Sequence, residues 1–534
     1  MPDPGPVDLV RRSLAPETRE EFERRVEEQA ATLREALTSG AFENEAYTVG
    51  LELEAYAVDG EGRLARVPEA VLADPACNGE LGLHNLELNT PPNRFDADGL
   101  AAQADRIAER VAGARAALAE EGLELVLDGM WTVPPPEGTD AYLSAVDVED
   151  GVTVARNMRA SPRYCAIDND VLARAGGSVD LDLPGVRRSF PSILVESLTS
   201  SIQPHLQVPD SGAFPDHYAV AVRTLGPVLA LATNSPFLPA DRYDLGGERG
   251  AGPAGTDERT GVTGLDAAPT TPEELVDATY HELRVPVFEQ AINTGDRKVR
   301  FPEDVESVTD VVGRLLEDRT CAPFLKEWVK GGDAVEGYAD RIWELDHKRG
   351  TYWRWLRAVV GGEALAGAGE ESVRIEYRPL PTQPTVAATV GLQALVSGLV
   401  RGLVAADHPL ASLEWAAARR SFYRAVEDGL DADLAWVDAD GERTDDPDVV
   451  YGELFAYARR GLREQGLSEP DVDDLLAPIE ARRERGTTPS RWKKRAVRER
   501  LAGGADLRSA IGGMQREYVE RSRAGEPVVD WETR

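Results

Sequence analysis

Apolar residues recur every three to four positions over residues 17–38 and 98–121, with charges between them, which predicts two helices that each bury one face. Four short segments, near 47–56, 83–89, 199–208 and 373–379, alternate apolar and polar residues instead and predict half-buried strands. The stretch from Val386 to Val400 is apolar almost throughout. Gln393 and Ser397 interrupt it and it is shorter than the roughly 20 residues a bilayer needs, so it predicts a buried helix.

Helices and strands mix without a regular β-α-β rhythm, which predicts an α+β fold with a largely antiparallel sheet. Residues 245–264 hold seven glycines and no apolar period, so they predict a long loop, either a surface excursion or an active-site lid. From residue 438 the chain turns through an acidic region and then reads as helical over 450–482 and 490–522. The linker RERGTTPSRW between them offers a helix start at Thr488 or Ser490. The expected division is a catalytic unit over 1–437 and a helical extension over 438–534.

At 534 residues and 42% apolar composition the chain can bury a large core. Acidic residues outnumber basic ones 94 to 59, and the net charge of -35 repels phosphate backbones and anionic lipid, so neither nucleic acid nor a membrane is an expected partner. Lysine occurs only six times, and the acidity resembles that of proteins adapted to concentrated salt. Cys77, Cys165 and Cys321 lie far apart, which argues against a disulfide framework or a thiolate zinc site. With no apolar signal core near Met1, the expected location is a reducing cytoplasm. The oligomeric state is not legible.

The polar faces of the predicted strands are chemically unusual. In TVGLELEAY, Leu51 and Leu53 point one way and Glu52 and Glu54 the other, about 7 Å apart along one face. In HNLELNT, Leu86 and Leu88 oppose Asn85, Glu87 and Asn89; in SIQPHLQV, Ile202 and Leu206 oppose Gln203, His205 and Gln207; in VRIEYR, Val373, Ile375 and Tyr377 oppose Arg374, Glu376 and Arg378. Any one stripe is what the wet side of a sheet would show in so acidic a chain. A sheet curved so that these faces line one funnel gathers Glu52, Glu54, Glu87, Glu376 and His205 around one volume, with Arg378 nearby. Carboxylates that close must be protonated or bridged by cations, and hard oxygen ligands with one imidazole suit magnesium or manganese.

Such a set suits phosphoryl transfer from ATP, in which divalent ions clamp the phosphates and an arginine offsets charge on the transferred group. Amide formation needs that step, because a carboxylate is inert to amines until it is made an acyl phosphate. The chain has no G-x-x-x-x-G-K-[ST] loop, no H-E-x-x-H helix and no G-x-S-x-G elbow.

The segments VGLELEAY, LELNTPP, SSIQPHLQV, ALATNSPFLP, HKRGTYWRWLR and RIEYRPLPTQPT resemble, in that order, type 2 glutamate-cysteine ligases over roughly residues 45–430. The resemblance implies a glutamine-synthetase-like fold whose curved antiparallel sheet makes a funnel for ATP, metals and glutamate. It implies that Glu52, Glu54, Glu80, Glu87, His205 and Glu376 bind magnesium. It implies that Arg378 faces the transferred phosphate and that Arg357 holds an anionic substrate or phosphate. Gln203 and Asn234 are assigned to the substrate and nucleotide pocket, Asn234 with Ser235 as residues that shape it and are read as structural, while Arg163 and Tyr164 in SPRY read as packing. Pro204 falls where the family carries a branched apolar residue, and because proline cannot donate to a ladder, this strand is expected at an edge or bulged. Residues 450–534 extend beyond the resembling motifs. The expected activity is formation of gamma-glutamylcysteine through gamma-glutamyl phosphate. The rivals are ligation of glutamate to a different amine, a non-catalytic glutamate or nucleotide sensor, and a metal-dependent hydrolase.

Overall fold

All four alternating segments pair in one sheet, and the strand carrying Glu52 and Glu54 lies inside it. The computed structural model describes residues 5–74, 77–245, 261–262, 268–329, 338–363, 365 and 371–531. Its main sheet has eight strands: β1 (Thr48–Val58), β2 (Cys77–Gly79), β3 (Asn85–Asn89), β4 (Asn93–Arg94), β5 (Glu124–Val126), β6 (Ile202–Gln207), β7 (Leu356–Glu363) and β8 (Glu371–Tyr377). The order is β7-β8-β6-β1-β3-β2, with β4 and β5 also paired to β1. Every pairing is antiparallel, and the sheet curls into a half-barrel. The fold is therefore the expected α+β class.

The apolar side of the alternation makes the core. Leu51, Leu53, Leu86, Leu88, Ile202, Leu206, Val373 and Ile375 are all at most 2% exposed. The expected helices form as α1 (Pro16–Thr38) and α2 (Ala97–Glu120), the latter capped by Asp96, whose carboxylate accepts from Gly99 N at 2.8 Å. Behind the sheet lie α3 (Phe214–Ala232) and α4 (Val386–Ala405). Helix α4 is the one helix among the described residues long and apolar enough to cross a membrane, and 83% of its apolar window is buried inside the protein. Its Gln393 donates to the Gly50 carbonyl of β1 at 3.1 Å, tying the core helix to the strand of carboxylates.

Two expectations need correction. Strand β6 is neither at an edge nor bulged: it lies between β1 and β8, and its register with β1 runs without a shift from Thr48–Gln207 to Leu53–Ile202. Pro204 fits because Leu51, opposite it, turns its own N–H and C=O to Thr90 on the far side, and because pairing with β8 begins only at His205–Glu376. No ladder bond is asked of the proline nitrogen. The second correction concerns the two long helices read after residue 450. The structure has four, α5 (Pro447–Glu464), α6 (Glu469–Arg485), α7 (Pro489–Ala502) and α8 (Leu507–Ala524). Gly466 and Gly504 take φ of 84° and 89°, which ends a helix, and Ser468 and Asp506 cap the next. Helix α7 starts where expected, with Thr488 as its cap.

These helices pack into the body of the protein. Helix α5 crosses α4 backbone to backbone, since a Cβ at Gly398 would meet the Ala458 carbonyl oxygen at 2.6 Å and one at Gly461 would strike the Gly398 carbonyl. Lys493 of α7 donates to Asp128 Oδ1 at 2.5 Å and Gln515 of α8 to Asp128 Oδ2 at 2.7 Å, just after β5. Of the glycine-rich segment 245–264, only Leu245, Gly261 and Val262 are described, so the choice between surface loop and lid lies outside the described residues.

Candidate active site

The register of four strands decides which polar side chains meet. Arg357 on β7 is paired with Glu376 on β8, Glu376 with His205 on β6, and His205 with Gly50 on β1. Glu52, two residues along, sits opposite Gln203 on one side and Asn89 on the other, and Glu54 lies opposite Glu87. A ligating atom from each of Glu52, His205 and Glu376 lies within 4.8 Å of the other two. His205 Nε2 is buried without a hydrogen-bond partner, 3.4 Å from Glu52 Oε1. A cleft of about 330 Å³ opens on this group, lined by Glu52, His205, Asn89 and Arg374 among others.

Two arginines hold one carboxylate. Arg357 donates to both Glu376 oxygens through Nη2 at 2.8 Å, and through Nε to Oε2 at 3.0 Å. Arg378 binds Glu376 Oε1 and also donates to Gln203 Oε1 at 2.8 Å. Burial would raise the Glu376 pKa, but the two guanidiniums outweigh it and hold the group anionic, well below the usual carboxylate range. Burial lowers Arg357 to about 10.

The other carboxyls go the opposite way. Burial raises Glu52, with Glu87 and Glu376 adding repulsion, even though 30% of its side chain still touches the cleft. Glu54, Glu80 and Glu87 are raised by burial too, and Glu87 adds its charge to Glu54 and Glu80. Glu54 keeps hydrogen bonds from Ser201 N at 2.6 Å and Gln203 Nε2 at 3.3 Å. His205 is lowered to about 3 by burial, so near neutral pH its imidazole is neutral and offers a lone pair. A neutral imidazole with an unshared nitrogen beside hard oxygens fits magnesium or manganese. The carboxyls around it are all shifted toward the neutral form, a shift that positive charge placed among them would oppose.

Two further residues belong here that sequence reasoning missed. Glu196, in the turn Ile193–Leu198, is raised to about 7 by burial and by Glu54. Arg284, at the start of the helix Arg284–Ile292, is 5% exposed, donates to the Arg378 carbonyl at 3.0 Å and stacks 5.3 Å from the Trp355 ring centroid. Glu196 is a lone charge in the apolar run SILVESL, and Arg284 follows Glu282 by two residues at the head of the apolar run RVPVF; a charge set in an apolar run was the available signal. Tyr164, read as packing, donates to Glu80 Oε2 at 3.2 Å and so reaches the carboxylate group. Arg163 packs over Gly350, where any Cβ would strike its guanidinium.

Asn234 lies away from the residues that line the cleft. It is 0% exposed, donates from Nδ2 to the Thr382 carbonyl at 2.7 Å and to Tyr518 Oη at 2.8 Å, and accepts from Lys493 at its own carbonyl. Ser235 Oγ donates to Glu282 at 2.6 Å, and these buried contacts are what the reading of both residues as structural expects.

The family model described as glutamate-cysteine ligase family 2 matches residues 48–524. The match thus runs through α5, α6, α7 and α8. No curated protein matches the sequence. Among solved structures, the glutamate-cysteine ligase of Francisella tularensis in complex with AMP aligns at 13% identity and a TM-score of 0.45, covering 92% of this chain and 91% of that one. A bifunctional glutathione synthetase from Pasteurella multocida aligns at 14% and 0.49, covering 92% of this chain and 55% of that one. The ligase PafA in complex with the ubiquitin-like protein Pup aligns at 12% and 0.36, covering 91% and 74%.

Proposed function

The chain belongs to glutamate-cysteine ligase family 2, and we propose that it is an ATP-dependent ligase that joins the side-chain carboxylate of glutamate to the amine of cysteine. The observation that carries the reading is the meeting of Glu52, His205 and Glu376 within 4.8 Å, with Arg357 and Arg378 on the same carboxylate.

In the first half-reaction a glutamate carboxylate oxygen attacks the gamma phosphorus of ATP and ADP leaves. In the second, the acceptor nitrogen attacks the acyl carbon, and the tetrahedral intermediate collapses with loss of phosphate and a proton. Glu52, His205 and Glu376, with Glu54, Glu80 and Glu87 around them, would hold magnesium or manganese, which would supply positive charge to offset the phosphates. Arg378, bonded to Glu376 beside this group, exchanges that bond for the transferred phosphate. Arg357 stays on Glu376 and keeps it ionised and aimed. The cleft is lined with fixed donors and charges that need little reorganisation as phosphate charge develops.

Incubation with glutamate, cysteine, ATP and magnesium should release ADP only when cysteine is present and yield gamma-glutamylcysteine by mass spectrometry. ADP release with a different amine from a panel would keep the ligase and reassign its acceptor. ADP release that depends on no amine would overturn the reading.

A further inference from the structure

A second polar cavity, of about 200 Å³, shares no residue with the carboxylate cleft. It is lined by Arg297, Lys298, Arg300, Arg314, Arg319 and Arg354 against three acids, Asp296, Glu317 and Asp318. This reverses the balance of the chain, in which acids outnumber bases 94 to 59. Lys298, one of only six lysines, is 1% exposed here.

Ion pairing explains part of the cluster. Asp318 takes Lys298 and also Arg354 at 3.0 Å, Asp296 takes Arg319 Nε, and Glu303 takes Arg300 at 2.6 Å. Asp170 takes Arg319 Nη1 at 2.8 Å, and Asp310 lies 3.7 Å from Arg314. Glu303, Asp170 and Asp310 do not line the cavity, so they draw on its cations from behind. Arg319 Nη2 and Arg314 Nε are buried donors with no hydrogen-bond partner. A buried unsatisfied donor is costly, more so on a charged group. Arg354 is held in place by stacking 4.1 Å from the Tyr352 ring centroid, and Lys298 lies 5.6 Å from that of Trp353.

We propose that this cavity is a binding site for a small phosphate-class oxyanion. Guanidinium forks match the tetrahedral oxyanion geometrically, and their charge-assisted bonds are the strong ones. The volume lies below the roughly 300–1,000 Å³ of sites for drug-sized ligands, which suits inorganic phosphate or a diphosphate and excludes a whole nucleotide.

The test is calorimetric titration of the full chain with inorganic phosphate, and separately with pyrophosphate, in magnesium-free buffer. The parent and the active-site variant Arg378→Ala should bind alike, while Arg314→Gln and Arg319→Gln should each weaken binding ~tenfold or more through loss of a charge-assisted bond. Tighter binding of pyrophosphate would assign a diphosphate as the ligand, and equal binding the free ion. Equal affinity in the parent and both glutamine variants, loss in Arg378→Ala instead, or no binding by the parent would each overturn the proposal. Should Arg319→Gln fail to fold, Arg314→Gln, at a side chain 36% exposed, decides alone.

Discussion

Arg357 and Glu376 face each other in register on adjacent strands, and Arg357 Nη2 lies 2.8 Å from both carboxylate oxygens. This contact fixes the charge and the direction of a carboxylate whose remaining lone pairs are needed elsewhere. Replacing Arg357 by alanine should lower turnover by ~100-fold, the scale of losing one preorganised donor. Lysine, which cannot make the fork, should restore only part of it. ADP release at saturating substrate, alongside an unchanged circular dichroism spectrum, is the measurement.

Glu52 lies at the junction of the cluster, facing His205 at 3.4 Å. Glu52→Gln keeps the shape and removes the charge. Initial rates across a magnesium titration should fall by at least ~tenfold and half-saturate at higher metal, as for loss of a ligand. An unchanged magnesium dependence would place the metal away from Glu52.

Glu289 is 0% exposed, accepts from Trp355 Nε1 at 2.8 Å and Tyr423 Oη at 2.7 Å, and is raised to about 7 by burial. Its folded pKa lies above the ordinary glutamate value of 4.5, so its stabilising contribution is full below pH 4.5 and is lost as pH rises through about 7. Glu289→Gln retains the acceptor without the ionisation. The variant should therefore gain on the parent by about 1–3 kcal/mol between pH 5 and pH 8. Urea midpoints at the two pH values test this, and a constant difference would refute it.

Lys493 and Asp128, 1% and 0% exposed, form a buried pair between α7 and the turn after β5. Lys493→Met leaves the aspartate uncompensated and should cost about 3–5 kcal/mol. The double variant Lys493→Met with Asp128→Leu should recover much of that loss. Denaturant melts of the three proteins, set as a double-mutant cycle, measure the coupling.

Two glycines of α5 should respond with opposite sign. A Cβ at Gly461 would strike the Gly398 carbonyl, whereas one at Gly452 meets nothing within 4 Å. Gly461→Ala should destabilise by about 1–3 kcal/mol through overpacking. Gly452→Ala should stabilise by up to ~1 kcal/mol from helix propensity. Thermal melts separate the two.

Strand alternation made most of the site legible. Glu52, Glu54, Glu87, His205 and Glu376 each alternate with a leucine or isoleucine in a period of two, which sets the polar face of each strand, and the register of the strands brings those faces together. Glu196 and Arg284 escaped because they come from a short turn and the first residue of a helix, where no alternation aims a side chain. The position of β6 was misjudged because Pro204 was weighed as a local breaker, while its tolerance depends on where a distant strand stops pairing. The partners that hold Asn234, Tyr518 and Lys493, lie 284 and 259 residues away in sequence. No local window contains them.

The bare crossing of α4 and α5 limits how this protein can be shortened. Cutting the chain at residue 437 would remove the partner that covers Gly398 and Gly402, leaving a stripe of naked peptide and aliphatic surface on the longest apolar helix. Such a fragment would keep every residue of the cleft and yet be expected to aggregate. Designs that seek a minimal enzyme should therefore trim from loops between the late helices and keep the helices themselves.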